Sequence, residues 1–344
     1  MKVLVTGATG FAGGALAKEH ARRGDEVVAL VRDPEGGNAK GLAAAGIRLV
    51  KGDIRESDAV MQAAEGVELI QHIAAVYRTA GHTDDYYHAV NDGGVANVIE
   101  AAQRHGVGRV VHCSTIGVHG HVKEVPAHED SPFNAGDIYQ RSKLAGENRF
   151  RAAVEAGLRG VIFRPAAIYG PGDLRLLKIF RGVQRGRFPM FGNGQTTYQL
   201  VYIDDLVDGI IRCGTHPDAV GQTFILCGDG WITLDDFVGL VAEATGGRAP
   251  RVHWPMWPLL TAARACELVC KPFGIAPPLH VRRCEFYVKS RAFSNERARN
   301  GLGFAPQVSM REGVYRTAAW YAEQGLVSPV PSRAEFDAGA AESA

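Results

Sequence analysis

The chain has 344 residues, of which 46% are hydrophobic and 22% are charged, and its formal net charge is +1. This composition is typical of a globular protein, gives no electrostatic reason to expect a nucleic-acid partner, and contains no apolar run long enough to predict a membrane span. The six cysteines follow neither a disulfide nor a zinc-ligand pattern, so we expect a cytoplasmic protein with reduced thiols and no metal.

The first thirteen residues predict a strand, a glycine-rich turn and the start of a helix. The apolar run 1–5 is followed by Gly7, Gly10 and Gly13. Gly7 permits a tight turn, Gly10 lets the backbone approach a pyrophosphate, and Gly13 allows close packing of helix on strand. A glycine-rich turn without a ligand is the alternative, but the position between a strand and a helix favours dinucleotide binding.

Strand and helix patterns alternate through the first half of the chain. Further apolar runs that predict strands lie at 27–31, 47–50, 69–73, 109–113, 160–163 and 223–226. Helical patterns in the same region lie at about 11–23, 57–64, 88–105 and 137–156. Such alternation predicts the α/β class, with a doubly wound parallel sheet of the Rossmann type.

The pattern becomes mainly helical after about residue 172. We predict a dinucleotide-binding Rossmann domain over 1–172, completed by about 196–228. A smaller, mainly helical substrate-binding lid is predicted over 173–195 and 229–327. The tail over 328–344, rich in proline and small residues, is expected to be flexible.

A tyrosine and a lysine that share a helix face are the second strong signal. Tyr139 and Lys143 are four residues apart. A nearby ammonium lowers the pKa of a tyrosine from about 10, so the phenol can exchange a proton with a hydroxyl or a carbonyl. Ser114 and Thr115 end the fifth predicted strand, where ligands of doubly wound sheets bind. Their hydroxyls distinguish this pattern from an ordinary surface pair of Tyr and Lys.

These motifs together resemble the extended short-chain dehydrogenase/reductase family, also called NAD-dependent epimerase/dehydratase. The matching stretches are TGATGFAG at 6–13, Gly52-Asp53-Ile54, His72-Ile73-Ala74-Ala75, Asn91-x-x-Gly94, Ser114-Thr115, the Tyr139 and Lys143 pair, and 164–172. The resemblance covers residues 1 to about 326. It is nearest to the branch of 3-beta-hydroxysteroid, sterol-4-carboxylate and dihydroflavonol-reductase-like enzymes.

The resemblance implies roles for individual residues. Tyr139 would be the acid and base, Lys143 would bind the nicotinamide ribose, and Thr115 would hold the reacting oxygen with Ser114 beside it. Asp53 and the residue after it would meet the adenine. The full expected cofactor site is Gly7, Thr9, Gly10, Phe11, Ala12, Gly13, Arg32, Asp53, Ile54, Ala74, Ala75, Asn91, Tyr139, Lys143, Pro165 and Ile168. A homodimer through a helix pair that includes about 137–156 is also implied.

The end of the second predicted strand bears on the choice between NADP and NAD. Arg32 offers a guanidinium suited to a 2′-phosphate, whereas Asp33 could turn inward and accept hydrogen bonds from the ribose of NAD. We predict NADP, with NAD as the alternative.

Several family features of sugar-nucleotide enzymes are missing. Ile116-Gly117 stands where the similar 4,6-dehydratases carry Asp-Glu, and Tyr198 stands where an arginine often holds the diphosphate. A guanidinium clamp would have to come from elsewhere, for which Arg175 and Arg251 are candidates. His119 also replaces the tyrosine usual in the family, which concerns substrate packing.

A bulky apolar segment, 254–279, points to a different substrate. It resembles the corresponding region of the steroid dehydrogenase branch and could line an apolar pocket, make peripheral membrane contact or simply pack on the sheet domain. We predict an NAD(P)-dependent oxidoreductase for a bulky apolar secondary alcohol or ketone, such as a sterol or another polycyclic lipid, with or without C4 decarboxylation. The alternatives are a nucleotide-sugar epimerase or reductase and a non-catalytic dinucleotide sensor.

Overall fold

The computed structural model describes residues 1–77, 81–122, 124–273, 277–279 and 281–342. Its strands are β1 (Lys2–Thr6), β2 (Glu26–Val31), β3 (Arg48–Lys51), β4 (Leu69–His72), β5 (Arg109–Cys113), β6 (Gly160–Pro165), β7 (Ala167–Tyr169), β8 (Met190–Phe191), β9 (Thr197–Tyr198), β10 (Leu200–Tyr202), β11 (Thr223–Leu226), β12 (Ile232–Thr233) and β13 (His253–Trp254). Its helices are α1 (Phe11–Arg22), α2 (Gly37–Ala44), α3 (Ser57–Ala63), α4 (Asp84–His88), α5 (Gly94–His105), α6 (Ile138–Glu155), α7 (Leu177–Gln184), α8 (Ile203–Thr215), α9 (Leu234–Thr245), α10 (Met256–Cys270), α11 (Val281–Cys284), α12 (Glu296–Leu302), α13 (Met310–Glu323) and α14 (Arg333–Glu342).

A parallel sheet of seven strands confirms the predicted Rossmann-type fold. Its order is β3-β2-β1-β4-β5-β6-β11, and every described pairing within it is parallel. The strand order reverses between β1 and β4. The crevice outside the carboxyl ends of these two strands is therefore the expected ligand site of a doubly wound sheet. The late strand predicted at 223–226 does return to the sheet, where it pairs with β6.

Alternate residues of the central strand β1 supply two cores, one on each face of the sheet. Val3 and Val5 belong to one cluster, and Leu4 between them belongs to the other. Helices α5 and α6 pack together over the face of Leu4, and α1 and α8 pack together over the opposite face. Sequence periodicity predicted all of these helices except α8.

The helical region after the sheet includes α7, α9 and α13, with α9 in contact with the other two. The predicted division into two domains stays a prediction. The tail over 328–344 contains α14, whose Phe336 is 2% exposed and has its ring centre 4.4 Å from that of Tyr315; the flexibility of the tail stays a prediction. Ser328 also exchanges backbone hydrogen bonds with the Gln184 side chain.

The apolar segment predicted at 254–279 contains α10, and Gly274–Ala276 within it lie outside the described residues. Among the helices that the structure describes, none is long and apolar enough to cross a membrane.

Candidate active site

The turn between β1 and α1 leaves no room for a side chain at Gly7, and the first turn of α1 leaves none at Gly13. Gly7 has a φ of +73°, and a Cβ on it would lie 2.7 Å from the backbone nitrogen of Ala74. A Cβ on Gly13 would lie 2.3 Å from the Gly7 carbonyl oxygen. Helix α1 starts after Gly10 with no side-chain cap and no acidic residue in its first turn. Its first N–H groups therefore suit an anion, which fits the pyrophosphate of a dinucleotide.

One cleft of about 710 Å³ runs along the carboxyl ends of the strands. That volume lies within the usual range of ligand pockets. The cleft brings together all but one of the predicted site residues. They are Gly7, Thr9, Gly10, Phe11, Ala12, Gly13, Arg32, Asp53, Ile54, Ala74, Ala75, Ser114, Thr115, Tyr139, Lys143, Pro165 and Ile168.

Helix α6 carries Tyr139 and Lys143 into this cleft. The helix starts with a capping box, in which the Asp137 carboxylate accepts the Gln140 N–H at 2.9 Å and the Gln140 side chain accepts the Asp137 N–H. Tyr139 and Lys143 are both buried, and the Lys143 ammonium donates a 2.5 Å hydrogen bond to the Cys113 carbonyl at the end of β5. Burial lowers the pKa of Lys143.

The adjacent hydroxyls of Ser114 and Thr115 have different partners. Ser114 Oγ donates to Glu147 Oε2 at 2.5 Å, so its hydrogen is already used within the protein. Thr115 Oγ1 accepts the Gly117 N–H at 3.0 Å. The hydroxyl hydrogen of Thr115 can therefore point to a ligand in the cleft, which agrees with the predicted preference for Thr115 over Ser114.

Glu147 and Arg164 form a buried ion pair behind the cleft. Arg164 Nε donates to Glu147 Oε2 at 3.0 Å and Nη2 to Oε1 at 2.5 Å, and the exposed Arg151 adds a third bond at 2.7 Å. Burial raises the pKa of Glu147, but the hydrogen bonds from Arg164 and Ser114 outweigh it and the net shift is downward. His119, 3.0 Å from Arg164 Nη1, belongs to this network and does not line the cleft.

A second buried network supports the loop after β4. Thr6 Oγ1 lies 2.8 Å from His72 Nδ1 and accepts the Ala74 N–H at 3.2 Å. This fixes Ala74 opposite Gly7, where the glycine turn comes closest. Burial lowers the pKa of His72 to about 3, and Lys143 adds to that shift, so the ring is neutral.

Arg55 holds Asp53 in place at the end of the cleft where the adenine is expected. The Arg55 guanidinium donates to both carboxylate oxygens of Asp53, at 2.9 and 3.0 Å, and lies 4.9 Å from the Tyr86 ring centre. The hydrogen bond from Arg55 lowers the pKa of Asp53. Asp53 is therefore an anionic acceptor, suited to an exocyclic amino group.

The side chains of Arg32 and Asp33, at the end of β2, have different surroundings. Arg32 is exposed and lines the cleft. The Asp33 carboxylate accepts the Glu35 N–H at 3.0 Å within its own turn and does not line the cleft. The arrangement offers a cation, not a carboxylate, at the position expected to meet the adenine ribose.

Comparison with known proteins agrees with this geometry. The model of the NAD-dependent epimerase/dehydratase family matches residues 3–227. The chain belongs to this family. It is therefore an NAD(P)-dependent enzyme of the extended short-chain dehydrogenase/reductase type.

Relatives within the family differ in their substrates. A 2-alkyl-3-oxoalkanoate reductase of Stenotrophomonas maltophilia is 33% identical, over 93% of this chain and 99% of its own. A UDP-glucose 4-epimerase of Mycolicibacterium smegmatis is 32% identical, over 93% and 98%. A 3 beta-hydroxysteroid dehydrogenase/Delta 5-->4-isomerase of Mycobacterium tuberculosis is 30% identical, over 93% and 90%. The crystal structure of gox2253 is 28% identical, covers 95% of this chain and 99% of its own, and superposes with a TM-score of 0.80.

Asn91 is the predicted site residue that the cleft of this family member does not include. Its side chain is buried, accepts the Val76 N–H at 2.9 Å and donates to Ser142 Oγ at 2.9 Å. The amide thus joins the loop after β4 to α6. Both ends of the amide are used beneath the cleft wall, and direct contact between Asn91 and a cofactor stays a prediction.

The remaining cleft residues were not predicted as site residues. The Tyr77 ring meets Tyr139 edge-on, with ring centres 4.9 Å apart, and the Arg175 guanidinium lies 5.8 Å from the Tyr77 ring centre. Arg291 also lines the cleft, whereas Arg251 lies elsewhere. Arg175 was considered as a clamp for a diphosphate, but no family motif or periodicity pointed to Tyr77 or Arg291. Other lining residues that were not predicted include His82, Tyr86 and Gln199.

Proposed function

We propose that this enzyme transfers a hydride between NADP(H) and a bulky apolar secondary alcohol or ketone, such as a sterol or another polycyclic lipid. The observation that carries the proposal is the meeting of Thr115, Tyr139 and Lys143 in one cleft whose wall also includes the rings of Tyr77 and Tyr198. Aromatic walls suit an apolar body, and the few polar groups fix its reacting oxygen. Relatives named for a 3-oxoalkanoate and for a hydroxysteroid support the same substrate class.

The protein's own part in the reaction is proton transfer and orientation. The nicotinamide, when bound, supplies or accepts the hydride. In the oxidation direction, Tyr139 as phenolate takes the hydroxyl proton of the alcohol, and in reduction its phenol returns that proton to the carbonyl oxygen. Thr115 donates a hydrogen bond to the same oxygen. Lys143, fixed on the Cys113 carbonyl, stabilises the phenolate and holds the cofactor ribose.

Arg32 supports NADP as the preferred cofactor. Its exposed guanidinium lines the cleft, while Asp33 is engaged by the backbone of its own turn. An arginine fork binds a phosphate through charge-assisted hydrogen bonds, whereas a carboxylate there would repel it.

Arg175 and Arg291 favour a substrate that also carries an acidic group. Both line the cleft, and Arg175 is connected to Tyr139 through the single ring of Tyr77. A carboxylate on the carbon next to the carbinol would suit either arginine. Oxidation would then give a 3-oxo acid, which can lose carbon dioxide without a further catalytic residue.

The same two arginines favour the second candidate, a nucleotide-sugar epimerase. They could bind a diphosphate, and the UDP-glucose 4-epimerase relative shows that the family supports this chemistry at a similar level of identity. An epimerase oxidises and then reduces the same substrate, so it releases no reduced cofactor.

Absorbance of the reduced nicotinamide separates the candidates. Purified enzyme is mixed with NADP+ or NAD+ and with hydroxysterols, 3-hydroxy acids or UDP-sugars in parallel. We expect net reduction with an apolar alcohol and loss of at least about a hundredfold in Tyr139→Phe. Conversion of a UDP-sugar without net reduction would assign the epimerase. Cofactor binding without turnover of any substrate class, unchanged in Tyr139→Phe, would assign a sensor.

A further inference from the structure

Helix α10 has its apolar side chains on the outside. Trp257, Leu268 and Val269 are 70%, 76% and 64% exposed, and Phe273 just beyond the helix is 75% exposed. Ala263 is the one buried side chain in this helix, all of whose residues the structure describes. A helix on the surface of a globular protein normally turns charged residues outward and apolar residues inward. The reversed pattern indicates a surface that is covered by a partner.

The exposed face of α10 is nearly uncharged. Positions 257, 261, 262, 264, 265, 268 and 269 share this side at helical spacing, and Arg264 is the single charged residue among them. Glu267 points elsewhere, where it accepts the Val281 N–H at 2.9 Å. The main contacts of α10 are with α11 and the adjoining turn at 271–273. One interpretation of the sequence was that the segment packs on the sheet domain. The exposed face of α10 does not pack in this way.

A basic groove adjoins the start of the same segment. Arg185, Arg248 and Arg251 are all exposed and line a groove of about 560 Å³ that has no acidic residue in its wall. Arg251 is three residues from Trp254, itself exposed, so the groove and the apolar segment lie within roughly 10 Å along the chain. Cationic side chains therefore lie close to the start of the apolar segment.

We propose that α10 and the groove of Arg185, Arg248 and Arg251, here called the arginine groove, dock on a membrane surface that contains anionic phospholipid. A helix of fifteen residues is about 22 Å long and can lie in the interface with its apolar face in the acyl region. The arginine groove would meet the phosphate headgroups. A two-fold contact with a second copy is disfavoured, because it would bring the same arginines of both copies to one interface.

This docking surface is connected to the cleft. Helix α11, which packs on α10, leads directly to Phe286, whose carbonyl accepts a hydrogen bond from the Tyr198 hydroxyl. Tyr198 lines the cleft, and its ring centre is 5.1 Å from that of Phe286. An apolar substrate dissolved in the bilayer would therefore meet the enzyme close to its cleft. Docking itself needs neither substrate nor cofactor, so it is tested independently of the proposed reaction.

Co-sedimentation with phospholipid vesicles tests the proposal. The full chain is mixed with vesicles of phosphatidylcholine alone or with added phosphatidylglycerol, and bound protein is measured as a function of lipid concentration. We expect binding to the anionic vesicles, weakened by salt, and a loss of about tenfold or more in Leu268→Glu/Val269→Glu. Arg248→Gln/Arg251→Gln should remove most of the preference for anionic lipid.

The same substitution at two exposed tryptophans, one within the docking surface and one outside it, provides a matched control. Trp257→Ser should weaken vesicle binding, whereas Trp231→Ser, at a residue 48% exposed outside this segment, should bind like the wild type. Unchanged melting temperatures would show that the variants fold. Wild-type protein that stays in the supernatant, or binding that is equal in Leu268→Glu/Val269→Glu, would overturn the proposal. A change of oligomeric state in that variant, without vesicle binding by the wild type, would assign the face to a second copy.

Discussion

The Ser114 hydroxyl donates its hydrogen to the Glu147 carboxylate at 2.5 Å, whereas the hydroxyl of the next residue, Thr115, receives an N–H from Gly117. A hydroxyl has one hydrogen to donate, so the first of these neighbours has none left for a ligand and the second has. The network around Glu147 thus decides which hydroxyl can serve a substrate oxygen. Glu147 itself does not line the cleft.

Thr115→Ala should therefore lower kcat by about a hundredfold to a thousandfold, because it removes a donor to the reacting oxygen. Ser114→Ala should keep most of kcat and should lower the free energy of unfolding by about 1 kcal/mol, because Glu147 loses one of several hydrogen bonds. Steady-state kinetics and urea unfolding of both variants make the comparison. Equal losses of kcat would contradict the assignment.

The two arginines on Glu147 should differ strongly in their effect on stability. Arg164 is buried with the carboxylate, and Arg151 is 41% exposed. Arg164→Gln leaves the buried Glu147 carboxylate with the partly exposed Arg151 as its remaining cationic partner and should lower the free energy of unfolding by about 3–5 kcal/mol. Arg151→Gln should cost at most about 1 kcal/mol, because exposed pairs contribute little. Urea unfolding of the two variants tests this, and similar values would show that the pair is not effectively buried.

The sequence was sufficient to predict the sheet and the position of the cleft. Apolar runs that alternate with helical patterns predicted the main strands because parallel strands buried on both faces need continuous apolar residues. The spacings of the glycines and of Tyr-x-x-x-Lys predicted most of the cleft, because residues that are close in the chain share one turn or one helix face.

Residues that reach the cleft from distant parts of the chain could not be predicted in this way. Tyr77 and Arg291 come together with Tyr139 only through tertiary packing. Asn91 illustrates a different limit, because a family motif shows where a residue lies but not whether its side chain turns toward the cleft or into the scaffold. The packing of α14 could not be predicted for a related reason: a single aromatic residue, Phe336, provides contacts that a composition of small residues does not suggest.

Two stacked histidines should make stability fall in acid. The rings of His72 and His112 are buried with centres 5.3 Å apart, and neither nitrogen of His112 has a hydrogen-bond partner in the described part of the chain. Burial lowers the pKa of His72 to about 3 and that of His112 well below its usual value. Histidine in the unfolded chain takes up a proton near pH 6.5. Each ring should therefore lower the free energy of unfolding by about 1.4 kcal/mol for each pH unit below that value.

The contribution of these rings is thus complete above about pH 6.5 and decreases as the pH falls toward the folded-state pKa. His112→Phe, which keeps the contact with Phe150, should reduce the slope of unfolding free energy against pH by about 1.4 kcal/mol per unit in this window. Urea unfolding between about pH 8 and pH 5 measures both slopes. Parallel curves would mean that His112 becomes protonated in the folded protein.

Gly13→Ala should disrupt the cofactor turn, because the new Cβ would lie 2.3 Å from the Gly7 carbonyl oxygen. We expect NADP affinity to fall by at least about tenfold as the turn and α1 move apart. Gly41→Ala provides the control, since Gly41 lies within α2 and a Cβ there meets nothing within 4 Å. That substitution should leave affinity unchanged and raise stability by up to about 1 kcal/mol.

Arg32→Gln should change the preference between the two cofactors without changing catalysis. Removing the guanidinium removes charge-assisted hydrogen bonds to a 2′-phosphate, which contribute about 1.5–3 kcal/mol, so the Kd for NADPH should rise by about tenfold to a hundredfold. NADH carries no such phosphate, and its Kd should stay within about twofold. Lys40→Gln is the matched control, because Lys40 is exposed on α2 and does not line the cleft. Fluorescence titration of the three proteins with both cofactors gives the ratios. An equal rise of the Kd for NADPH and for NADH in Arg32→Gln would show that Arg32 shapes the turn and does not bind the phosphate. An unchanged ratio of the two Kd values, together with tight NADH binding, would make this an NAD enzyme.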